Sequence, residues 1–263
     1  MFFWERGLQS CSGVLYYYKC ILQNGIQGKR VMKKLIITQS NYIPWKGFFD
    51  SMAAVDELML YDDMQYTRRD WRNRNKIKTP KGAQWMTVPV EVKGKFFQKI
   101  KETRVNDPDW WKDHLNLLRQ NYYHAPCYGE VHELAESWYR EASRFEYLSE
   151  INAYFLRQIA DYLGIATPIT WSSDYELAEG KTERLVDLCI KRGATDYYTG
   201  PAAKNYMDET LFEKAGIQVH YWDYSGYEEY PQLYPPFDHA VSILDMIFNC
   251  GKDARKYMKC GAK

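Results

Sequence analysis

A glycine-rich phosphate loop, paired cysteines, a long apolar run and a large net charge are all missing from this 263-residue chain. No stretch approaches the ~20 consecutive apolar residues that a bilayer-spanning helix needs. Phe2, Phe3 and Trp4 are cut short by Glu5 and Arg6, and the apolar run from Val14 to Tyr18 is too brief for a signal-peptide core. The six cysteines (Cys11, Cys20, Cys127, Cys189, Cys250, Cys260) include no C-x-x-C pair and no His at zinc spacing, which fits reduced thiols and a cytoplasmic location. Lys and Arg total 35 against 34 Asp and Glu, which argues against general polyelectrolyte binding, so any nucleic-acid role must come from a local patch. With 16 Gly and 10 Pro there is no low-complexity tract, and the length suits one large domain or two small ones.

What is present is aromatic and locally cationic. The chain carries 23 Tyr and 9 Trp, rings that either build a core with polar tips or line a pocket for bases or sugars. In Arg72-Asn73-Arg74-Asn75-Lys76-Ile77-Lys78 the basic residues fall on every second position. An extended strand points alternate side chains the same way, so Arg72, Arg74, Lys76 and Lys78 would form one cationic row roughly 20 Å long at about 3.3 Å per residue. Such a row suits a phosphate chain; it equally suits an edge strand charged against aggregation. From Arg68 to Lys81 there are seven basic residues and one acid, with Tyr66 and Trp71 available for stacking.

The pattern of elements is that of an α/β protein. The ordered domain is expected to begin near Met32, with residues 1–31 a start-site artefact, a loose extension or a packed hairpin. A strand at 35–38, a loop at 39–44 ending in Pro44, a helix over 45–54 and a strand at 58–61 make a strand–loop–helix–strand unit. The cationic strand turns at 79–82 and pairs with 84–90. Residues 107–163 read as three helices opening at Asp107-Pro108. Then come a strand at 169–171, a helix capped by Thr182, a strand at 196–199, a helix over 205–215, a strand at 217–221 and a last helix from Asp238 to Asn249. The expected fold is a mainly parallel, Rossmann-like sheet flanked by helices, with a helical insert (about 107–163) between its halves and a small β-hairpin.

Candidate chemistry collects at the carboxyl ends of these strands, where open α/β sheets bind ligands. Asp62 and Asp63 end the second strand; being adjacent they point to different sides, and either could orient a hydroxyl or Mg²⁺, or pair with an arginine. Gln39, Asn41, Tyr42 and Trp45 follow the first strand, with Gln65 beyond the second and Gly47 free to admit a close backbone approach. Gly180-Lys181-Thr182 is not the end of a P-loop, since Tyr175 stands where that motif needs Gly. Gly200-Pro201-Ala202-Ala203-Lys204 links a strand to a helix, which makes it an anion site or a plain tight turn. His239 could act as a base beside Asp238, Ser242 and Asp245, or these could be caps. No Ser-His-Asp, Cys-His or metal-ligand cluster stands out, so the cofactor is open, with Mg²⁺ at Asp62 or Asp63 the one candidate.

Ile37-Thr38-Gln39-Ser40-Asn41-Tyr42-Ile43-Pro44-Trp45-Lys46-Gly47-Phe48-Phe49 resembles the opening signature of the WbqC-like protein family. The resemblance continues through Asp62–Tyr66, Arg72–Gly82, Gln84–Val90, Lys181–Leu185, Thr199–Lys204, Ser242–Asp245 and Phe248–Gly251. Many members have His before the Gln, where this chain has Thr38. The resemblance implies bacterial surface-polysaccharide assembly, chiefly of O-antigen, by a transferase of glycosyl, acyl or aminoacyl groups on nucleotide-activated sugars. On that reading Asp62, Asp63 and Gln39 would be catalytic. Asn41, Tyr42, Trp45, Gln65, Arg72, Asn73, Arg74, Lys76, Lys78, Gly200 and Lys204 would bind substrate or phosphate. The partners would be an activated sugar or nucleotide and other polysaccharide-assembly enzymes. The alternatives are a nucleic-acid-binding module on 66–85 and a non-catalytic assembly partner.

Overall fold

The structure, a computed structural model, describes residues 31–260, so the expectations for 1–30 lie outside the described residues. Five short strands make one parallel sheet: β1 (Lys34–Thr38), β2 (Glu57–Leu60), β5 (Ile169–Trp171), β6 (Asp196–Thr199) and β7 (Gln218–Tyr221). Their order is β5-β2-β1-β6-β7, with β1 central and paired in parallel to both β2 and β6. Seven α-helices are described: α1 (Lys46–Ala53), α2 (Trp110–Tyr122), α3 (Tyr128–Ala142), α4 (Leu148–Tyr162), α5 (Thr182–Lys191), α6 (Glu209–Lys214) and α7 (Ile243–Cys250).

The inner strands read as unbroken apolar runs because both faces are covered. Ile36, Leu58 and Leu60 face one core with Tyr42, Phe49, Leu118, Tyr139, Phe155 and Phe248. Leu35, Ile37, Met59 and Tyr61 face the other, against Leu185, Leu188 and Phe212. The three insert helices therefore share a core with the sheet and α1.

Strands β3 (Arg74–Thr79) and β4 (Gly82–Thr87) form the antiparallel hairpin, in register from Arg74↔Thr87 to Thr79↔Gly82. Gly82 closes the two-residue loop at φ +102°, a conformation that glycine adopts without penalty. Arg72 and Asn73 precede the strand, because Asn73 binds the Val88 carbonyl with its side chain (2.8 Å) where β4 has already ended.

Several element ends differ from expectation, each for a local reason. The last helix starts at Ile243, not at Asp238. Ser242 caps it through Leu244 N and is itself extended (φ −53°, ψ 148°), with its N held by the Lys76 carbonyl (2.7 Å). Asp238 instead closes a small turn on Ala240 N. Thr182 is not a cap either; its hydroxyl accepts from Asp208 N (3.2 Å). The helix expected over 205–215 is shorter, since Asp208 caps a new start at Glu209. Asp107 accepts from Asp109 N, and α2 begins only at Trp110.

Candidate functional site

Strands β1, β2 and β5 lie in succession to one side, and the chain then crosses back to place β6 on the other side of β1. The loops leaving β1 and β6 are thus expected to diverge, and between such carboxyl ends open α/β sheets form their ligand crevice. Gln39 leaves β1 there, half-buried, and its amide has no side-chain partner among the described residues. Gly200 leaves β6 there, extended at φ −75°, ψ 157°, and leads into a 3₁₀ turn (Pro201–Asn205). That turn replaces the expected helix start, so no extended helix dipole points at the crevice. Lys204 is exposed, its ammonium 4.6 Å from the Tyr221 ring centroid.

The loop between β1 and α1 is clamped from several sides. Asp62 is buried and accepts from Ser40 N (2.8 Å) and from the Ser149 hydroxyl. Burial raises its carboxyl above the usual range, against those hydrogen bonds. Asp63 points the other way, to Ser172 (2.7 Å) and Lys101 (2.6 Å); burial raises it, but those two partners outweigh burial and hold it low. Arg72 donates through one nitrogen to the Ser40 carbonyl and to the Asn41 side-chain oxygen, while its buried Nε has no hydrogen-bond partner. Asn75 donates to the Ile43 carbonyl (2.8 Å), as does Ser242 (2.9 Å), and together they hold Ile43 at φ +39°. Pro44 does keep Ile43 from right-handed helical geometry, but a β-branched residue with positive φ is strained, here by about 1–3 kcal/mol.

Tyr42 is fully buried, facing the core rather than a pocket. Its hydroxyl lies 2.8 Å from both His114 Nδ1 and the Tyr139 hydroxyl, while His114 Nε2 meets the Thr87 carbonyl at 3.2 Å. Trp45 packs against Tyr224 and Tyr227. A Cβ on Gly47 would lie 2.4 Å from the Trp45 ring, so that glycine makes room for an indole, not for a ligand. Lys46 beside it is buried among Tyr227, Tyr230 and Phe237, and burial lowers its amine to about 8. Nothing in the sequence pattern distinguishes this lysine from its exposed counterparts.

On the hairpin, Arg74 and Lys76 are half-buried. Arg74 stacks 4.0 Å above Trp85 and donates to the Arg69 carbonyl; Lys76 lies 5.1 Å from Trp85 and 5.9 Å from Trp71. The two indoles are 5.3 Å apart, and Trp71 and Trp85 remain 42% and 38% exposed. Lys76 has no carboxylate partner among the described residues. Lys78 is buried, donating to the Pro236 carbonyl, and so leaves the row. Gln65 binds the Phe96 carbonyl (2.8 Å). His239 packs on Phe237 with Nδ1 unpaired, and Asp245 is buried beneath Tyr122, Tyr230 and Gln232. Among the described residues no group of three or more His, Cys, Asp or Glu converges to hold a metal ion. Their four cysteines are free thiols. No described helix is long and apolar enough to cross a membrane.

The fold thus defines a Rossmann-like protein whose strand order reverses between β1 and β6. The chain belongs to the WbqC-like protein family, whose model matches residues 39–257. It is 51% identical over 228 residues to the uncharacterized protein Rv1507c of Mycobacterium tuberculosis, covering 87% of this chain and 98% of that one. No solved structure matches it. Membership in the family suggests a function associated with polysaccharide biosynthesis.

Proposed function

We propose that this protein transfers a glycosyl, acyl or aminoacyl group on a nucleotide-activated sugar during assembly of O-antigen or another bacterial surface polysaccharide. One juxtaposition supports the reading most. The β1–β6 crevice, with the unpartnered Gln39 and the Gly200–Lys204 turn, adjoins a hairpin whose Arg74 and Lys76 stand on two exposed indoles. Tyr42 N bonds to the Trp71 carbonyl (2.9 Å) and Arg72 grips Ser40 and Asn41, so hairpin and crevice share one loop. In this scheme Gln39 contacts the reacting group, Lys204 and Lys76 neutralise phosphate, and Trp71 and Trp85 offer flat faces to a sugar ring. Asp62, Asp63, Arg72, Asn73, Lys78 and Tyr42 position the loop and hairpin. A Mg²⁺ ion would enter with the diphosphate, whose oxygens supply most of its ligands.

The test is a calorimetric titration of the full chain with a panel of nucleoside diphosphate sugars, with and without Mg²⁺. One class should bind, and Lys76→Ala should weaken it about tenfold or more, as loss of a charge-assisted hydrogen bond does. Gln39→Ala should bind yet lose turnover. Absence of binding across the panel would sink the assignment. Binding of short RNA that collapses between low and moderate salt would favour the nucleic-acid reading instead, because counterion release makes such affinity steeply salt-dependent.

A further inference from the structure

The most exposed large aromatic side chains among the described residues lie neither in the crevice nor on the hairpin. They are Phe96 and Phe97, 71% and 82% exposed, adjacent at a loop tip with ring centroids 5.0 Å apart. The segment is Lys93-Gly94-Lys95-Phe96-Phe97-Gln98-Lys99, with Gly94 at φ +74° turning the chain at the tip. Lys93 and Lys99 are exposed and form no ion pair among the described residues, while Lys95 is held by Glu91. Arg68 and Arg69 are exposed close by, because Arg68 donates to the Val92 carbonyl at the base of the loop (2.6 Å).

Two neighbouring phenylalanines turned to water are unfavourable unless something apolar covers them. An apolar tip collared by cations matches the layered chemistry of one surface, an anionic lipid bilayer. Rings enter the acyl boundary, and ammonium and guanidinium groups stay among the phosphates. A protein groove could accept the rings, but it would not need cations on both sides of them.

We propose that the Lys93–Lys99 loop docks this protein on anionic membrane surfaces, with Phe96 and Phe97 inserted and Lys93, Lys99, Arg68 and Arg69 on lipid headgroups. The loop is rigidly set for this. Its base is bonded to the segment leaving β2, through Tyr66 N to the Gln98 carbonyl (2.9 Å), Ile100 N to the Met64 carbonyl (2.9 Å) and Lys101 N to the Asp62 carbonyl (3.1 Å). Gln65 holds the Phe96 carbonyl from the same segment. Docking therefore brings the carboxyl edge of the sheet toward the bilayer, where a lipid-anchored sugar would be presented. The docking itself stands on the loop alone and does not depend on the group-transfer reading.

The test is co-sedimentation of the full chain with vesicles of phosphatidylcholine, and of phosphatidylcholine with 30% phosphatidylglycerol, at low and high salt. The chain should partition onto the anionic vesicles, weakly or not at all onto the neutral ones, and less as salt rises. Phe96→Ser with Phe97→Ser should reduce partitioning tenfold or more. Lys93→Gln and Lys99→Gln should each reduce it roughly fivefold, the equivalent of about 1 kcal/mol per cation near such a surface. These side chains are exposed, so the melting temperature should not move. The proposal is overturned if the chain ignores anionic vesicles, or if the double serine variant binds as the parent does. It is also overturned if that variant instead converts an oligomer to a monomer, which would make the rings a protein contact. Failure here would leave nucleotide-sugar binding untouched, and failure there would leave this partitioning untouched.

Discussion

His114 shows how much one buried side chain dictates. The Thr87 carbonyl facing Nε2 can only accept, so Nε2 carries the proton and Nδ1 accepts from the Tyr42 hydroxyl, which in turn accepts from Tyr139. Burial lowers the His114 pKa to about 4 in the fold, against about 6.5 in the unfolded chain. As pH falls the unfolded chain takes up its proton first. Stability is therefore complete above pH 6.5 and is lost progressively down to about pH 4, by ~3 kcal/mol at about 1.4 kcal/mol per unit. Urea unfolding at pH 7 and pH 4.5 should show this loss in the parent. His114→Gln should be less stable at pH 7 but flatter with pH; equal slopes would exclude His114 as the titrating group. Tyr42 was legible in the sequence as part of a motif. Its partners lie 72 and 97 residues away, and no local pattern announces them.

At the scale of elements, the strands, the hairpin and the insert helices could be read from apolar period and turn residues, since those signals are local. What could not be read is how elements are cut by distant segments, as the Lys76 and Ile43 carbonyls fix Ser242 at the start of α7. Gly47 is similar: its sequence context suggested room for a ligand, and the room is taken by Trp45, wedged against Tyr224 and Tyr227. Gly47→Ala should thus lower stability by about 1–3 kcal/mol, the usual cost of overpacking, although alanine favours helices. A urea midpoint equal to or above that of the parent would show that the indole can swing aside.

At the scale of the molecule, insert, hairpin, the segment after β7 and the final helix meet at Asp245. Tyr122 of α2 and Tyr230 donate to it at 2.6 Å, Gln232 donates at 2.7 Å, and Lys78 N of the hairpin donates to the Tyr122 hydroxyl at 3.1 Å. With one core spanning these parts, far-UV circular dichroism and tryptophan fluorescence should report a single coincident urea transition. Asp245→Ala, which strands two buried hydroxyls, should lower stability by ~3 kcal/mol without splitting that transition. Two separate transitions would mean that the insert unfolds on its own.

Short apolar runs, the spacing of turn formers and the family motifs determined the α/β class, the parallel sheet and the hairpin, because each rests on neighbours in the chain. The even spacing of Arg74 and Lys76 likewise put both against the indoles of the hairpin. Only tertiary structure decided which polar residues remain open to a ligand. Asp62, Arg72, Lys78 and Tyr42 look like their exposed counterparts in a sequence, yet the fold buries or engages each of them, whereas Lys204 is left exposed and Gln39 and Lys76 only half-buried. Burial and distant hydrogen-bond partners make that difference, and both arise from contacts between segments far apart in the chain.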